Sequence, residues 1–382
     1  MRFGPDFDAL IERFSPGQNS KIAIAVSGGG DSIALLRLAH EWAQRASRTL
    51  LAVTVDHGLR LEAKTEAEWV ATLCRDLDIA HKSLVWSKPR ASQKAARQAR
   101  YELICREMQV HGVNALLVGH TADDVLETAL IRRRRGVRDA SIAGPTLAST
   151  APVWPAGQGI TMLRPLIFAQ RTKIRAYLNG LEQSWLEDPS NENTEFERVR
   201  VRNGLARHQR LKMLAQNQIE RLQTGRLEQD DAFGAALLRV TVRPDGLMEV
   251  ADESVTDRLL AVLARCASGS NRDPRAEAVR DLRKTVIAPG DRQTLGGAWF
   301  QRTQRGYLIG RDPGAAKALC FDTLFDGRFK RSAESRLPAK KDQAFLVRET
   351  TPPSDDWTEI ISDRLKHLAL CHQTPRLNPV QT

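Results

Sequence analysis

Two hydrophobic periods alternate along the first half of the chain. Short apolar runs at 22–26, 50–55, 79–85 and 115–118 predict strands. Between and after them, apolar residues three and four apart predict helices over about 31–46, 62–77, 92–111 and 122–135. Short connections between strand and helix favour parallel strands, so the expected class is α/β, with a mostly parallel, doubly wound sheet covered on both faces. In such sheets ligands collect at the carboxyl ends of the strands. Three segments fall on that edge: Ser27-Gly28-Gly29-Gly30-Asp31-Ser32, Val55-Asp56-His57-Gly58-Leu59-Arg60, and Gly119-His120-Thr121-Ala122-Asp123-Asp124. The topology makes them one candidate site.

The texture changes after residue 163. A helical stretch near 170–181 leads to an Asp188-Pro189-Ser190-Asn191 turn and then to a basic helix over about 195–224. Beyond about 230 the pattern reads as a separate, smaller α+β domain. It has one hairpin of strands 237–242 and 247–250 around Pro244-Asp245-Gly246, and a second between 294–301 and 307–310. The stretch past 330 is rich in charge and proline and shows no period. The expected division is a first domain at 1–210, a helical linker at 211–230, the smaller domain at 231–330 and a tail of uncertain order at 331–382.

Composition narrows the function classes. At 382 residues the chain can bury two or three cores. No run of about 18 apolar residues is present to span a bilayer, and Met1-Arg2-Phe3-Gly4-Pro5-Asp6 lacks the apolar core of a signal peptide, so a cytoplasmic protein without a membrane partner is expected. Cys74, Cys105, Cys266, Cys320 and Cys371 are scattered, which argues against a disulfide framework or a cysteine-held metal. The net charge of +11 suits a polyanionic partner, with the placement of the arginines counting for more than their sum. A homodimer is left open.

The glycines after the first strand form a candidate phosphate cradle. Without Cβ atoms the backbone can approach a polyanion, and the free N–H groups of the following helix point at it. The Gly-Lys-Ser/Thr of the Walker motif is absent, so the lysine that grips terminal phosphates there has no counterpart in this loop. Asp124 and Glu127, three apart on a helix, share a face and form a candidate acidic pocket for an ammonium group, a Mg²⁺ ion or both. Helix capping by Thr121 and Asp123 is the bland alternative. Arg100 shares its helix with Lys94, Arg97 and Arg106, so a solvated basic face competes with a phosphate role.

Taken in order, several motifs resemble tRNA(Ile)-lysidine synthases, members of the PP-loop ATP pyrophosphatase (adenine nucleotide alpha hydrolase-like) group. They are the Ser27–Ser32 hexapeptide, the Asp56-His57-Gly58 segment, Gln98-Ala99-Arg100-Tyr101, His120-Thr121-Ala122-Asp123-Asp124 with Glu127-Thr128, Arg164-Pro165-Leu166, and Glu187-Asp188-Pro189-Ser190-Asn191. The match covers roughly residues 20–205, and Thr294-Leu295-Gly296-Gly297 adds a looser one. The resemblance implies a two-step reaction. ATP adenylates O2 of the wobble cytidine in the CAU-anticodon isoleucine tRNA, and free L-lysine then attacks C2, so that pyrophosphate and AMP are released. It implies ATP contacts at Ser27, Gly28, Gly29, Gly30, Asp31, Ser32, Asp56 and Arg100, with Mg²⁺ on Asp31. Catalysis would rest on Asp31, Arg100, Asp124 and Glu127. Lysine would bind Asp124, Glu127 and Arg202, while His57, His120 and Arg198 position groups.

This chain also departs from the family pattern. Val125 and Leu126 stand where relatives carry Gln-Ala, and Arg132-Arg133-Arg134-Arg135-Gly136-Val137-Arg138 replaces a glycine-rich segment. The four arginines, with Arg200, are candidates for gripping tRNA phosphate, against the bland reading of a solvated helix end. Rival functions are a PP-loop tRNA thiolase, which needs paired cysteines, an amidotransferase-type synthetase, and a tRNA-binding module that has lost catalysis.

Overall fold

The computed structural model of the chain describes residues 4–14, 21–56, 58, 62–87, 92–137, 142, 144–154, 156–187, 194–195, 197–243, 246–270, 273–315, 320–321, 324–325, 329–331, 357–359 and 361–372. They form two compact units. One comprises the residues up to Ala151 together with Ile160–Asp230, and the other comprises Pro152–Gly159 with the described residues from Asp231 onward.

The first unit runs α1 (Gly4–Phe14), β1 (Ile22–Ala25), α2 (Gly30–Ala46), β2 (Leu50–Asp56), α3 (Glu62–Asp76), β3 (Ala80–Val85), α4 (Gln93–Val110), β4 (Ala115–Leu117), α5 (Ala122–Arg134), β5 (Ala148–Thr150), β6 (Thr161–Leu163), α6 (Arg171–Gly180) and α7 (Glu197–Arg207). Its sheet has the order β3-β2-β1-β4-β6-β5. Neighbours pair in parallel except β5, which runs antiparallel to β6. The expected mostly parallel α/β sheet is therefore the observed one. Ile22, Ala23 and Ile24 of β1 are completely buried, as a central strand covered on both faces requires. Helix α1, which the hydrophobic period above does not predict, joins the same core through Phe7, Leu10, Ile11 and Phe14, an i, i+3, i+4, i+7 stripe.

The chain lays down β2 and β3 on one side of β1 and then crosses to the other side for β4. The loops after β1 and β4 thus part at the switch point, where α/β sheets open a crevice. They also approach closely. A Cβ on Gly119 would stand 3.0 Å from the carbonyl oxygen of Asp31.

Helix α8 (Gln209–Leu238) contains the boundary between the units. The second unit continues with β7 (Thr241–Val242), β8 (Met248–Ala251), α9 (Asp257–Ala267), α10 (Ala276–Thr285), β9 (Arg292–Leu295), β10 (Ala298–Arg302), β11 (Gly306–Arg311), β12 (Cys320–Phe321), β13 (Leu324–Phe325), β14 (Phe329–Arg331), β15 (Trp357–Glu359) and α11 (Ile361–His372). Its sheets have the orders β7-β8-β11-β10-β9 and β12-β13-β14-β15, all antiparallel. Leu259, Leu260 and Leu263 of α9 share a core with Met248, Phe300, Ile309, Leu365 and Leu368.

Four local expectations are corrected. The helix expected over about 195–224 is two helices, α7 and α8, separated at His208. The strand expected at 237–242 is cut to Thr241–Val242, because Leu237 and Leu238 extend α8 and Leu237 is buried in the core. The single strand at 294–301 is two strands, which turn through Gly296 and Gly297, both at positive φ (60° and 86°). The stretch past 330 holds β15 and α11, and α11 is amphipathic enough to bury Ile361, Leu365 and Leu368.

Candidate active site

The hexapeptide after β1 is clasped by its own serines. The Ser27 N–H donates to Ser32 Oγ (3.2 Å), whose hydroxyl donates to the Gly29 carbonyl (2.8 Å). Gly28 has φ +83°, and a Cβ there would fall 2.7 Å from Leu186 Cδ1, so both conformation and space demand glycine. The Leu186 N–H donates to the Gly28 carbonyl at 3.0 Å, and Leu186 forms a parallel bridge with Gly29. Gly29 caps α2 without any side-chain hydrogen bond, which leaves the dipole end of that helix to a ligand.

Asp31 opens α2. Its Oδ2 accepts from Arg171 Nε at 2.9 Å, while its buried Oδ1 has no hydrogen-bond partner among the described residues. Burial raises the Asp31 pKa although Arg171 opposes the rise.

Helix α5 starts with a reciprocal box. The Thr121 N–H donates to Asp124 Oδ2 (2.8 Å) and the Asp124 N–H donates to Thr121 Oγ1 (3.4 Å). One oxygen of Asp124 therefore serves the helix, and the other, Oδ1, accepts from Arg171 Nη2 at 3.2 Å. Burial works to raise the Asp124 pKa, but Arg171, Arg198 and the Thr121 N–H outweigh it and the net shift is downward. Glu127 has a side chain only 2% exposed and accepts from Arg198 Nε and Arg202 Nε, each at 2.8 Å; Arg171 Nη1 stands 3.5 Å away. Asp123 does different work. Its Oδ2 accepts the Arg171 backbone N–H at 2.7 Å and so caps α6, whose own cap residue Gln170 makes no side-chain bond.

Arg171 was not among the residues expected from the sequence, yet it bonds Asp31 and Asp124 and faces Glu127. Its one available signal was position. A basic residue in the first turn of a helix opposes the dipole and needs an outside reason to be there. Three carboxylates supply that reason, and they raise its pKa.

The fold thus gathers Asp31, Asp124, Glu127, Arg198 and Arg202 around Arg171. His120 is close enough that Asp124, Arg164, Arg97 and Arg198 act on it; burial and the arginine charges push its pKa down to about 4. Asp56 ends β2 with its Oδ1 accepting the Gly58 N–H at 2.8 Å. Arg100 is exposed on α4, and Arg97 of that helix stacks 5.1 Å over the Tyr101 ring. Arg133, Arg134 and Arg135 are exposed at the end of α5, Arg132 is half-buried, and Arg135 pairs with Glu197. Arg200 is exposed and donates to the carbonyls of Thr194 and Glu195 at 2.7 Å each. His57, Arg138 and the Asp188-Pro189-Ser190-Asn191 turn lie outside the described residues.

A family model described as the PP-loop domain matches residues 5–210. The chain is 38% identical over 286 residues to the tRNA(Ile)-lysidine synthase of Hyphomonas neptunium, which covers 73% of this chain and 78% of the relative. The chain belongs to the tRNA(Ile)-lysidine synthase family. Another member, from Caulobacter vibrioides, is 33% identical over 332 residues, with 83% of this chain and 72% of that protein covered. Among solved structures, the U34-tRNA thiolase NcsA from Methanococcus maripaludis with its [4Fe-4S] cluster is 17% identical at a TM-score of 0.45, covering 58% of this chain and 80% of that one. Within the lysidine synthase family match, the hexapeptide, Asp124, Glu127, Arg171, Arg198 and Arg202 all fall inside the PP-loop domain. Among the described residues no helix is long and apolar enough to cross a membrane.

Proposed function

We propose that this protein ligates L-lysine to C2 of the wobble cytidine of the CAU-anticodon isoleucine tRNA, using ATP and acting in the cytoplasm. The observation that carries this reading is the Arg171 guanidinium, which bonds Asp31 of the Gly-rich loop and Asp124 of α5 and faces Glu127. A phosphate loop and an acidic pocket for an amine are one side chain apart. In the first step cytidine O2 bonds the α-phosphorus, and the bond from that phosphorus to the bridging oxygen breaks, its electron pair leaving on pyrophosphate. The loop N–H groups and a cation such as Arg100 meet the growing charge. In the second step the lysine ε-nitrogen bonds C2, the C2–O2 bond breaks, and AMP carries the electron pair away.

Asp124, Glu127 and Arg202 line the lysine pocket, and one of the carboxylates takes the ε-proton, while Arg198 and His120 position the groups around it. A free ε-amine titrates near pH 10.4, and an unpaired acid pair would hold its proton still more tightly. Here Asp31, Asp124 and Glu127 face Arg171, Arg198 and Arg202, so the pocket is close to charge balance and grips the ammonium form less. Asp31 Oδ1, a buried oxygen with no hydrogen-bond partner among the described residues, fits one ligand of Mg²⁺. Among those residues no group of three or more His, Cys, Asp or Glu is arranged for a metal, so phosphate oxygens and water would complete its shell. When bound, Mg²⁺ neutralises phosphate charge. The exposed Arg133 and Arg134, with Arg132, Arg135 and Arg200, suit tRNA phosphates.

The test is ATP-dependent incorporation of labelled lysine into purified isoleucine CAU tRNA, with methionine tRNA as control. Label confined to the isoleucine tRNA is expected. Pyrophosphate release without any lysine transfer would demand a different nucleophile.

A further inference from the structure

The Gly-rich loop lacks a lysine, yet a cation stands on it. Arg175, one turn after Arg171 in α6, reaches back so that a Cβ on Gly30 would overlap its Nη1. That Nη1 is buried and has no hydrogen-bond partner among the described residues. The guanidinium stacks 4.5 Å over the Trp185 ring, and its Nη2 lies 3.8 Å from Glu187 Oε1. Trp185 Nε1 donates to the same Glu187 oxygen at 2.6 Å. The segment carrying Trp185 and Glu187 is fixed to the loop by the Leu186 bond to Gly28 described above.

Resting on the functional reading above, we propose that Arg175 is the phosphate-gripping cation of this loop and receives the terminal phosphates of ATP as they leave as pyrophosphate. A guanidinium that served only to pin the 185–187 segment would spend its donors on that segment. Here the donor nearest the loop is the one left unspent. Glu187 does not cancel the charge, because its side chain is 70% exposed and 3.8 Å away. Trp185 leaves the guanidinium positively charged while fixing its plane, and a planar, held fork is what bidentate phosphate binding requires. Gly30 is then glycine for a second reason besides backbone approach to the anion, since any side chain would push the cation off the loop. The bond changes are those already given: the α-phosphorus exchanges its bridging oxygen for cytidine O2, and Arg175 stabilises the electron pair gained by pyrophosphate.

The experiment measures pyrophosphate release and lysine incorporation by the full chain against ATP concentration, together with inhibition by added pyrophosphate. It compares the unchanged protein with Arg175→Lys, Arg175→Ala and Trp185→Leu. For Arg175→Ala the ATP KM and the pyrophosphate inhibition constant should rise together by about 10- to 100-fold, the range of one charge-assisted contact, with the lysine KM within about twofold. Arg175→Lys should fall between, and Trp185→Leu should follow it in direction. An unchanged ATP KM would make Arg175 a structural pin, and a lowered one would make it a plug that phosphate must displace; either overturns the proposal. If the unchanged protein releases no pyrophosphate with ATP and tRNA, the functional reading fails. Calorimetric binding of magnesium pyrophosphate to the unchanged protein and to Arg175→Lys, which keeps the charge and the fold, still decides the role of Arg175. Weaker binding by the variant supports the proposal, and equal binding ends it.

Discussion

The Gly-rich loop and the cluster beside it are built in opposite ways. The loop comes from six consecutive residues, and its geometry depends on what is missing, namely Cβ atoms at Gly28 and Gly30. The cluster draws Asp124 and Glu127 from α5, Arg171 from α6, and Arg198 and Arg202 from α7, and it meets the loop at Asp31 through Arg171. A site made from backbone is intolerant of volume, whereas one made from opposed charges is intolerant of lost charge. The two should therefore fail under different substitutions.

The sharpest break in the cluster is Glu127→Gln, which keeps the shape and removes one charge. Arg198 and Arg202 then lose the charge of their 2.8 Å partner, and three arginines are left against Asp31 and Asp124. Stability should fall by about 2–4 kcal/mol, at or below the figure for one half of a fully buried pair because the arginines are partly wet. Lysine transfer should drop at least about 100-fold, with pyrophosphate release less affected. Urea denaturation and the two product assays check this. Equal loss of both activities would assign Glu127 to the fold and not to the amine.

That contrast also explains what could be read from the sequence. The parallel sheet and the loop were legible because period and glycine placement are local signals. Asp124 and Glu127 were legible as an i, i+3 pair at the edge of the sheet. Arg171 was not, since it is one of 57 lysines and arginines and its partners lie about 40 to 140 positions away. Leu237 and Leu238 lie in a short apolar run that suits a strand equally well, and such a run does not reveal that a 30-residue helix is ending. Gly296-Gly297, by contrast, is a two-residue hairpin signal in the sequence itself, and β9 and β10 pair around it. Helix α11 was hidden by charged and proline-rich flanks, although its Ile361, Leu365 and Leu368 keep helical spacing.

The matching break in the loop is Gly28→Ala. It should change no charge, yet it places a Cβ at φ +83° and 2.7 Å from Leu186 Cδ1. The expected cost is about 1–3 kcal/mol, from strain plus the displaced leucine. The ATP KM should rise while the lysine KM holds, the reverse of Glu127→Gln. Both can be read from the same kinetic series. A parallel rise in both constants would mean that loop and cluster move as one body.

The smallest effect is the pH response of His120, at the edge of the cluster, set against His367 in the second unit. Burial and nearby arginines lower the His120 pKa to about 4, and burial alone lowers that of His367 to about 4. Both start from an ordinary value of 6.5, so the unfolded chain takes up these protons before the folded one does. The stability tied to the neutral imidazoles is then complete above pH 6.5 and is lost as the pH falls toward about 4, at about 1–3 kcal/mol each. Hydrogen exchange of β4 and α11 amides, followed from about pH 7 to about pH 4.5, reads the two units separately. His120→Gln should flatten the response of β4 and leave α11 unchanged, and His367→Gln should do the converse. If His120→Gln left the β4 slope intact, the acid sensitivity of that unit would not be set by this imidazole, and the reading of His120 as a group buried neutral would fail.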